Sequence, residues 1–230
     1  MIHRLDGQKG YAVGFEGLVE YVNNLLPKNE HIGAALREDR PLFPSLAIRE
    51  LVANALIHQD MTITGAGPQI ELFEDRLEIS NPGATLVRPD RMIDLPPRSR
   101  NEALASLMRR MKMCEEQGSG LDKVVEACEV AQLPAPLFRA ESNATQAVLY
   151  GPRTFAEMTQ DERVRACYFH AVLKFLSGDR MKNASLCGRL GIAAKNAAQA
   201  SAVINKTLDA GLIRVADQEH PRAGYVPHWA

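Results

Sequence analysis

Residues 48–60, IRELVANALIHQD, constrain the fold more than any other segment of the chain. Glu50, Asn54 and His58 stand at i, i+4 and i+8, so a helix carries them along one flank. Apolar residues fill nearly all other positions, so we expect this helix to be enclosed on most sides. An enclosed polar group left unpaired costs roughly 1–3 kcal/mol, so it must find a partner. The helix alone leaves two interpretations open, a satisfied or hydrated polar stripe and a ligand site.

Charge is divided unevenly along the chain. Residues 1–162 hold 17 Lys and Arg against 24 Asp and Glu, net −7, whereas residues 163–230 hold 10 against 4, net +6. The C-terminal part therefore has the polarity of a polyanion binder.

The cysteines and the apolar runs indicate the compartment. Cys114, Cys128, Cys167 and Cys187 show no C-x-x-C spacing, so we predict reduced thiols and neither a metal site nor disulfides. No apolar run approaches the roughly 18–20 residues that span a membrane, and there is no N-terminal signal. The sequence predicts a cytoplasmic protein without a membrane partner.

Periodicity in residues 1–151 predicts a mixed α+β domain. The expected elements are a helix at about 13–26, the helix of residues 48–60, a hairpin (69–73 and 76–80), an irregular cover at 84–101, a helix near 103–111, a further helix opening at the glycines 118–121, and strands at 137–140 and 146–151. This order predicts an α/β sandwich with helices on one sheet face. Residues 152–162 are the predicted linker.

Residues 163–230 follow a different order. Three helical patterns, ended by glycines 178, 191 and 211, precede two alternating segments around a polar tip. This order is typical of a winged helix-turn-helix domain.

Motifs within residues 46–121 carry a family resemblance. The pattern E-L-x-x-N-A-L-x-H-x-D at 50–60 is followed by IELFEDRLEISNPG and then by a GSGL turn. Residues 40–150 therefore resemble the GHKL (Bergerat-fold) ATPase domain, and more closely its divergent branch at the C-terminus of RecG-like helicases and transcriptional regulators. A Schlafen AlbA-type module commonly lies upstream in that branch. Its absence here is expected of a fragment or a shortened relative.

The resemblance implies an ATP site that uses Mg. By this resemblance Glu50 is the base that orients or deprotonates water, and Asn54 ligates the Mg that bridges the phosphates. The adenine-recognising D-x-G-x-G segment maps onto Asn81, Pro82 and Gly83, with Asn in place of Asp and Thr85 in place of the last Gly. The remaining nucleotide-binding residues are His58, the second glycine box Gly118, Ser119 and Gly120, and the arginines of the cover, Arg98 and Arg100.

The third C-terminal helix carries a polar stripe that suits a DNA groove. Lys195, Gln199, Ala202 and Lys206 lie at i, i+4, i+7 and i+11. We predict that this helix contacts double-stranded DNA through Lys195, Asn196, Gln199 and Lys206, and that Arg222 at the wing tip reaches a phosphate or the minor groove. The alternative is a winged helix used for protein contacts, with a homodimer as one possible assembly.

Together these features predict a DNA-binding transcriptional regulator with a degenerate ATP-binding domain. One alternative is an active Mg-dependent ATPase acting on or near DNA, and a second is a non-catalytic interaction scaffold. A helicase motor of the P-loop type is excluded, because no G-x-x-x-x-G-K-[ST] motif occurs.

Overall fold

The chain contains both helices and antiparallel strands, which confirms the predicted mixed α+β class. The computed structural model describes residue 7 and residues 10–26, 28–32, 37–96, 98–114 and 120–230. Its elements are α1 Tyr11–Leu25, β1 Lys28–Ile32, β2 Arg37–Pro41, α2 Ser45–His58, β3 Gln69–Leu72, β4 Arg76–Pro82, α3 Glu102–Arg110, α4 Gly120–Val130, β5 Leu137–Ala140, β6 Ala144–Tyr150, α5 Gln160–Leu176, α6 Asn183–Arg189, α7 Ala197–Asp209, β7 Ile213–Val215 and β8 Tyr225–Pro227.

The first of two compact units comprises Met1–Val124 and Phe138–Ala147. Its four-stranded sheet has the order β3-β4-β6-β5. Strands β3 and β4 form the predicted hairpin, with Ile70 opposite Ile79. The β4 side chains alternate between half-buried and buried up to Ile79, because one face of this strand packs against a helix, α2.

Helix α2 is enclosed on most sides, as its sequence predicted. It follows Pro44 and packs against both α1 and β4. Ala47, Ile48 and Ala53 have no exposed surface. Glu50, an ionisable residue, retains only 4% of its exposed surface. Burial of a carboxyl group on this helix costs free energy, which indicates a functional site.

A two-stranded sheet of β1 and β2 was missed by the sequence analysis. The strands pair antiparallel, with the backbone of Lys28 opposite Pro41. Their sequences, KNEHI and REDRP, contain no alternation of apolar and polar residues. Strand prediction depends on that alternation, so the pairing left no signal in the sequence.

The second unit comprises Val125–Leu137 and Val148–Ala230. Within it, α5 packs against α7 and β8, and α6 packs against α7. Strands β7 and β8 pair antiparallel after the three helices. Met181 extends this sheet, because its backbone exchanges hydrogen bonds of 3.0 and 2.8 Å with Tyr225. None of the described helices is long and apolar enough to cross a lipid bilayer.

Helix α5 begins inside the span predicted as a linker. The Thr159 hydroxyl accepts a hydrogen bond from the Glu162 amide at 3.2 Å, and the Glu162 carboxylate accepts one from the Thr159 amide at 2.7 Å. This reciprocal pair satisfies amides that the first turn leaves without partners. Arg153 also pairs with Glu162. The last residues of 152–162 are thereby fixed to the second unit.

The contact between Met181 and Gly224 predicts a large difference between two glycine substitutions. Both Gly178 and Gly224 have positive φ, but a Cβ at 224 would lie 2.7 Å from the Met181 carbonyl oxygen, whereas a Cβ at 178 meets nothing within 4 Å. We expect Gly178→Ala to lower the free energy of unfolding by about 1 kcal/mol, and Gly224→Ala to lower it by about 3 kcal/mol. Denaturant titration measures both, and equal losses would contradict the prediction.

Candidate functional site

One cavity of the first unit brings most of the predicted site residues together. Its walls come from α2, the end of β4, the segment from residue 84 to residue 100, α3, the start of α4, and β6. Gly83 lies beside the cavity, and Gly118 and Ser119 lie outside the described residues. The predicted residues on the lining are Glu50, Asn54, His58, Asn81, Arg98, Arg100 and Gly120.

The start of α4 approaches the polar flank of α2 very closely. A Cβ at position 120 would lie 2.7 Å from Glu50 Oε2 and 3.7 Å from Asn54 Nδ2. A side chain at position 120 would therefore require Glu50 to move, and Gly120 lies against the Glu50 carboxyl group. Within the described residues the Asn54 side chain makes no hydrogen bond. Its carboxamide is therefore available to a ligand.

Near the C-terminal end of α2, Asn81 is held by the turn that follows β4, whose Pro82 carbonyl accepts a hydrogen bond from the Asp60 amide at 2.8 Å. It is 7% exposed, and its Nδ2 donates a hydrogen bond to the Pro82 carbonyl at 3.2 Å. The next residue, Gly83, has φ of +106°, and a Cβ there would lie 2.8 Å from the Asp60 Cβ. Thr145 Oγ1 donates to the Gly83 carbonyl at 2.8 Å. With its nitrogen engaged, Asn81 presents Oδ1 as an acceptor.

His58 lies on the same flank of α2 as Glu50 and Asn54. Burial, and then the positive charge of Arg100, lower the pKa of His58 below its ordinary value. Its imidazole is consequently neutral at neutral pH. It therefore acts in this cavity as a hydrogen-bonding group and not as a cation.

The cavity is cationic although the part of the chain that forms it is acidic. Among its described lining residues, Arg98, Arg100 and Arg109 stand against one carboxylate, Glu50. Arg109 lies on α3, four residues after the buried Ala105. The sequence analysis missed it, because that helix was examined only for its apolar face. This charge balance favours an anionic ligand.

The lining also fits a Mg ion. No group of three His, Cys, Asp or Glu that could hold a metal occurs among the described residues. Mg, however, keeps several waters and needs only one or two protein groups beside phosphate oxygens. Asn54, whose side chain makes no hydrogen bond within the described residues, offers such an oxygen. The site therefore fits Mg that arrives with phosphates.

The residues predicted to contact DNA lie on the surface of the second unit. The buried face of α7 is formed by Ala200, Val203, Ile204 and Thr207. Asn183 Nδ2 donates to the Ala197 carbonyl at 3.1 Å, which holds α6 against α7. All the predicted contact residues are exposed: Lys195, Asn196, Gln199, Lys206 and Arg222. The placement of Lys195 and Asn196 on the third helix was wrong, because both lie in a one-turn 3-10 helix, Ala194–Asn196, that precedes α7.

Comparison with known proteins supports part of the resemblance. Residues 65–149 match the family model described as "Putative ATP-dependent DNA helicase recG C-terminal". The match supports the RecG-like, ATPase-like character of this segment, which includes β4, the cover, α3 and the start of α4, while α2 precedes it. None of the curated proteins matches the chain.

A solved structure shares the fold. The DIP2311 protein from Corynebacterium diphtheriae superimposes with a TM-score of 0.60 at 18% identity, over 97% of this chain and 47% of that one. The present chain thus spans about half the length of that protein. At this identity the likeness concerns the fold alone.

The cavity lining also predicts which thiol reacts. Cys114 is half-buried on the lining, whereas Cys128, Cys167 and Cys187 are buried. Burial raises the pKa of Cys128 and of Cys167 to about 12, so their reactive thiolate form is scarce. We expect iodoacetamide at pH 8 to modify Cys114 alone in the folded chain, as peptide mass spectrometry would show. Equal labelling of all four before denaturation would contradict this.

Proposed function

We propose that the chain is a DNA-binding regulator whose first unit is a divergent GHKL-like domain that binds an adenine nucleotide with Mg. The observation that carries the proposal is the cavity: three arginines and one carboxylate line a space that extends along α2, from the Glu50–Asn54 flank to the acceptor Asn81 beside the last residues of that helix. A nucleotide has a matching asymmetry, with a base at one end and phosphates at the other. The RecG-like family match over residues 65–149 supports the same proposal.

The two ends of the cavity favour different parts of such a ligand. At the base end, Asn81 Oδ1 accepts a hydrogen bond from an exocyclic amine, which adenine has and hypoxanthine lacks. At the phosphate end, Asn54 would provide an oxygen for Mg, and Arg98 and Arg109 on the lining would neutralise phosphate charge. The start of α4 adds a helix N-terminus to this end.

The second unit is proposed to read DNA as a winged helix. Helices α5, α6 and α7 followed by β7 and β8 have the required order. Gln199 and Lys206 are exposed on α7, beside its buried face, and Lys195 is exposed in the one-turn 3-10 helix that precedes α7. The segment from 163 to 230 carries net +6. An exposed polar helix in a cationic unit suits the phosphate-lined major groove.

A Mg-dependent ATPase that acts on or near DNA is the second candidate. It is favoured by the placement of Glu50 beside Asn54, where a carboxylate accepts a proton from a water that attacks the terminal phosphate. Mg would neutralise the charge on the phosphate oxygens. Turnover that is lost in Glu50→Ala while ATP binding persists would favour this candidate. Absence of turnover in the unmutated chain, with ATP bound, would favour the regulator.

Nucleotide binding is tested by titrating the whole chain with labelled ATP, in Mg or in excess chelator. We expect binding in Mg that protects Cys114 from alkylation, and unlabelled ITP should compete somewhat less well than unlabelled ATP. Asn54→Ala should weaken binding at least about tenfold in Mg, since it removes a ligand of the ion, and should have little effect in chelator. The matched control Asn205→Ala changes an exposed asparagine of the second unit and should bind normally. If Asn54→Ala weakens ATP binding equally in chelator, Asn54 does not ligate Mg. If the unmutated chain binds no ATP, the interaction scaffold remains as the interpretation.

DNA binding is tested by the salt dependence of duplex affinity. Lys195→Ala and Lys206→Ala should each reduce the log–log slope by roughly 0.9, the value for one phosphate contact. Gln199→Ala should mainly relax sequence preference. Arg110→Ala removes an equal charge from an exposed position in the first unit and should leave the slope unchanged. A slope insensitive to both lysines would refute the assigned surface.

A further inference from the structure

The guanidinium of Arg100 connects two backbone segments beside the cavity. Arg100 Nη2 donates to the Ala84 carbonyl at 2.5 Å, and Nη1 donates to the His58 carbonyl at 3.4 Å. Nη1 would also lie only 3.2 Å from a Cβ at Gly83. Arg100 therefore links the start of the cover, the end of the cover and the last residue of α2.

The next side chain completes this arrangement. Asn101 Nδ2 donates to the carbonyls of Ile57 and Gln59, at 2.8 Å each. The last carbonyls of a helix have no partners within it, and an end enclosed by protein must find them elsewhere. Arg100 and Asn101 together satisfy three consecutive carbonyls, those of residues 57, 58 and 59. The site-bearing helix α2 is thus capped from a segment more than 40 residues away in sequence.

We propose that Arg100 and Asn101 are positioning residues that clamp the base of the cover, residues 84–101, to the C-terminal end of α2. The proposal deepens the proposed function, because the clamp sets where the cover meets a nucleotide. Its chemistry requires arginine: one guanidinium offers several donors in a fixed plane and reaches two carbonyls at once, which a lysine ammonium does not reproduce.

The clamp differs from the phosphate contact that the resemblance implied for Arg100. Its two terminal nitrogens donate to carbonyl oxygens of the chain itself. Arg98, two residues earlier, is exposed and makes no hydrogen bond or ion pair within the described residues. Arg98 is therefore the cover arginine that is available to bind an anion, whereas Arg100 holds backbone carbonyls in place.

The cover has internal contacts that allow it to move as one piece about such a clamp. Arg88 bonds Asp90 through two nitrogens, at 3.0 and 2.9 Å. Arg91 bonds Asp94 at 2.6 Å, and the Asp94 side chain is 3% exposed. With both ends held by Arg100, a displacement of the cover is concentrated at its base.

Amide hydrogen exchange of the ligand-free whole chain tests the clamp independently of any nucleotide. Arg100→Lys keeps the charge and most of the stem, and Arg98→Ala is the matched control. We expect exchange in residues 85–99 to rise about tenfold in Arg100→Lys and in Arg100→Ala, since a hydrogen bond from a charged donor changes an opening equilibrium by that much. Arg98→Ala should exchange like the unmutated chain.

Asn101→Asp supplies a second, nearly isosteric variant that lacks the donor. Its exchange should rise at the last turn of α2 and not in the other described helices. The clamp would be overturned if residues 85–99 exchanged at the normal rate in both Arg100 variants. It would also be overturned if they exchanged faster in Arg100→Ala but at the normal rate in Arg100→Lys.

ATP titration of the same variants separates the two proposals. Where the unmutated chain binds ATP, Arg100→Lys should weaken ATP binding although it retains the charge, and a lysine variant with normal affinity would overturn the link to the ligand. Where no ATP binds at all, the proposed function fails, while faster exchange of the cover in Arg100→Lys would still support the clamp.

Discussion

Enclosure of α2 on most sides is the constraint on which the first unit depends. A helix packed against both α1 and β4 cannot keep its polar residues in open solvent. Glu50, Asn54 and His58 therefore share a cavity that borders this helix. The same enclosure deprives the last carbonyls of α2 of water, so that side chains from the cover must satisfy them. Site and cover thus arise from a single packing requirement.

The cavity lining of the first unit is cationic, whereas the net charge of this part of the chain is negative. The difference has a structural origin. The acidic residues of this part of the chain are mostly on its surface, for example Glu71 and Glu74 at the β3–β4 hairpin. Arg98 and Arg100 of the cover and Arg109 of α3, in contrast, line the cavity. Net charge governs approach at long range, whereas the lining governs what is held. An acidic domain can therefore hold an anion.

Much of the fold followed from periodicity, while the connections between distant segments did not. The helix of residues 48–60 and the 69–80 hairpin were predictable because each repeats an apolar pattern within a few residues. Arg100 was predictable only as a cover cation: its bond to the carbonyl of His58 spans 42 positions and leaves no local pattern. Arg109 was not predicted as a lining residue for a related reason, since its role depends on which face of α3 meets the cavity. The β1–β2 pairing lacked apolar alternation altogether.

The asparagine at the base end bears on how strongly a nucleotide would be held under the proposed function. A hydrogen bond to a carboxylate is roughly twice as strong as one between neutral groups. Asn81 offers a neutral oxygen, and its nitrogen is already bound to the Pro82 carbonyl. The base would therefore contribute less to affinity than it would beside an aspartate, and the phosphate end would dominate. Binding dominated by phosphates and Mg responds to the charge of the phosphate chain, so a site of this kind distinguishes a triphosphate from a diphosphate better than one base from another.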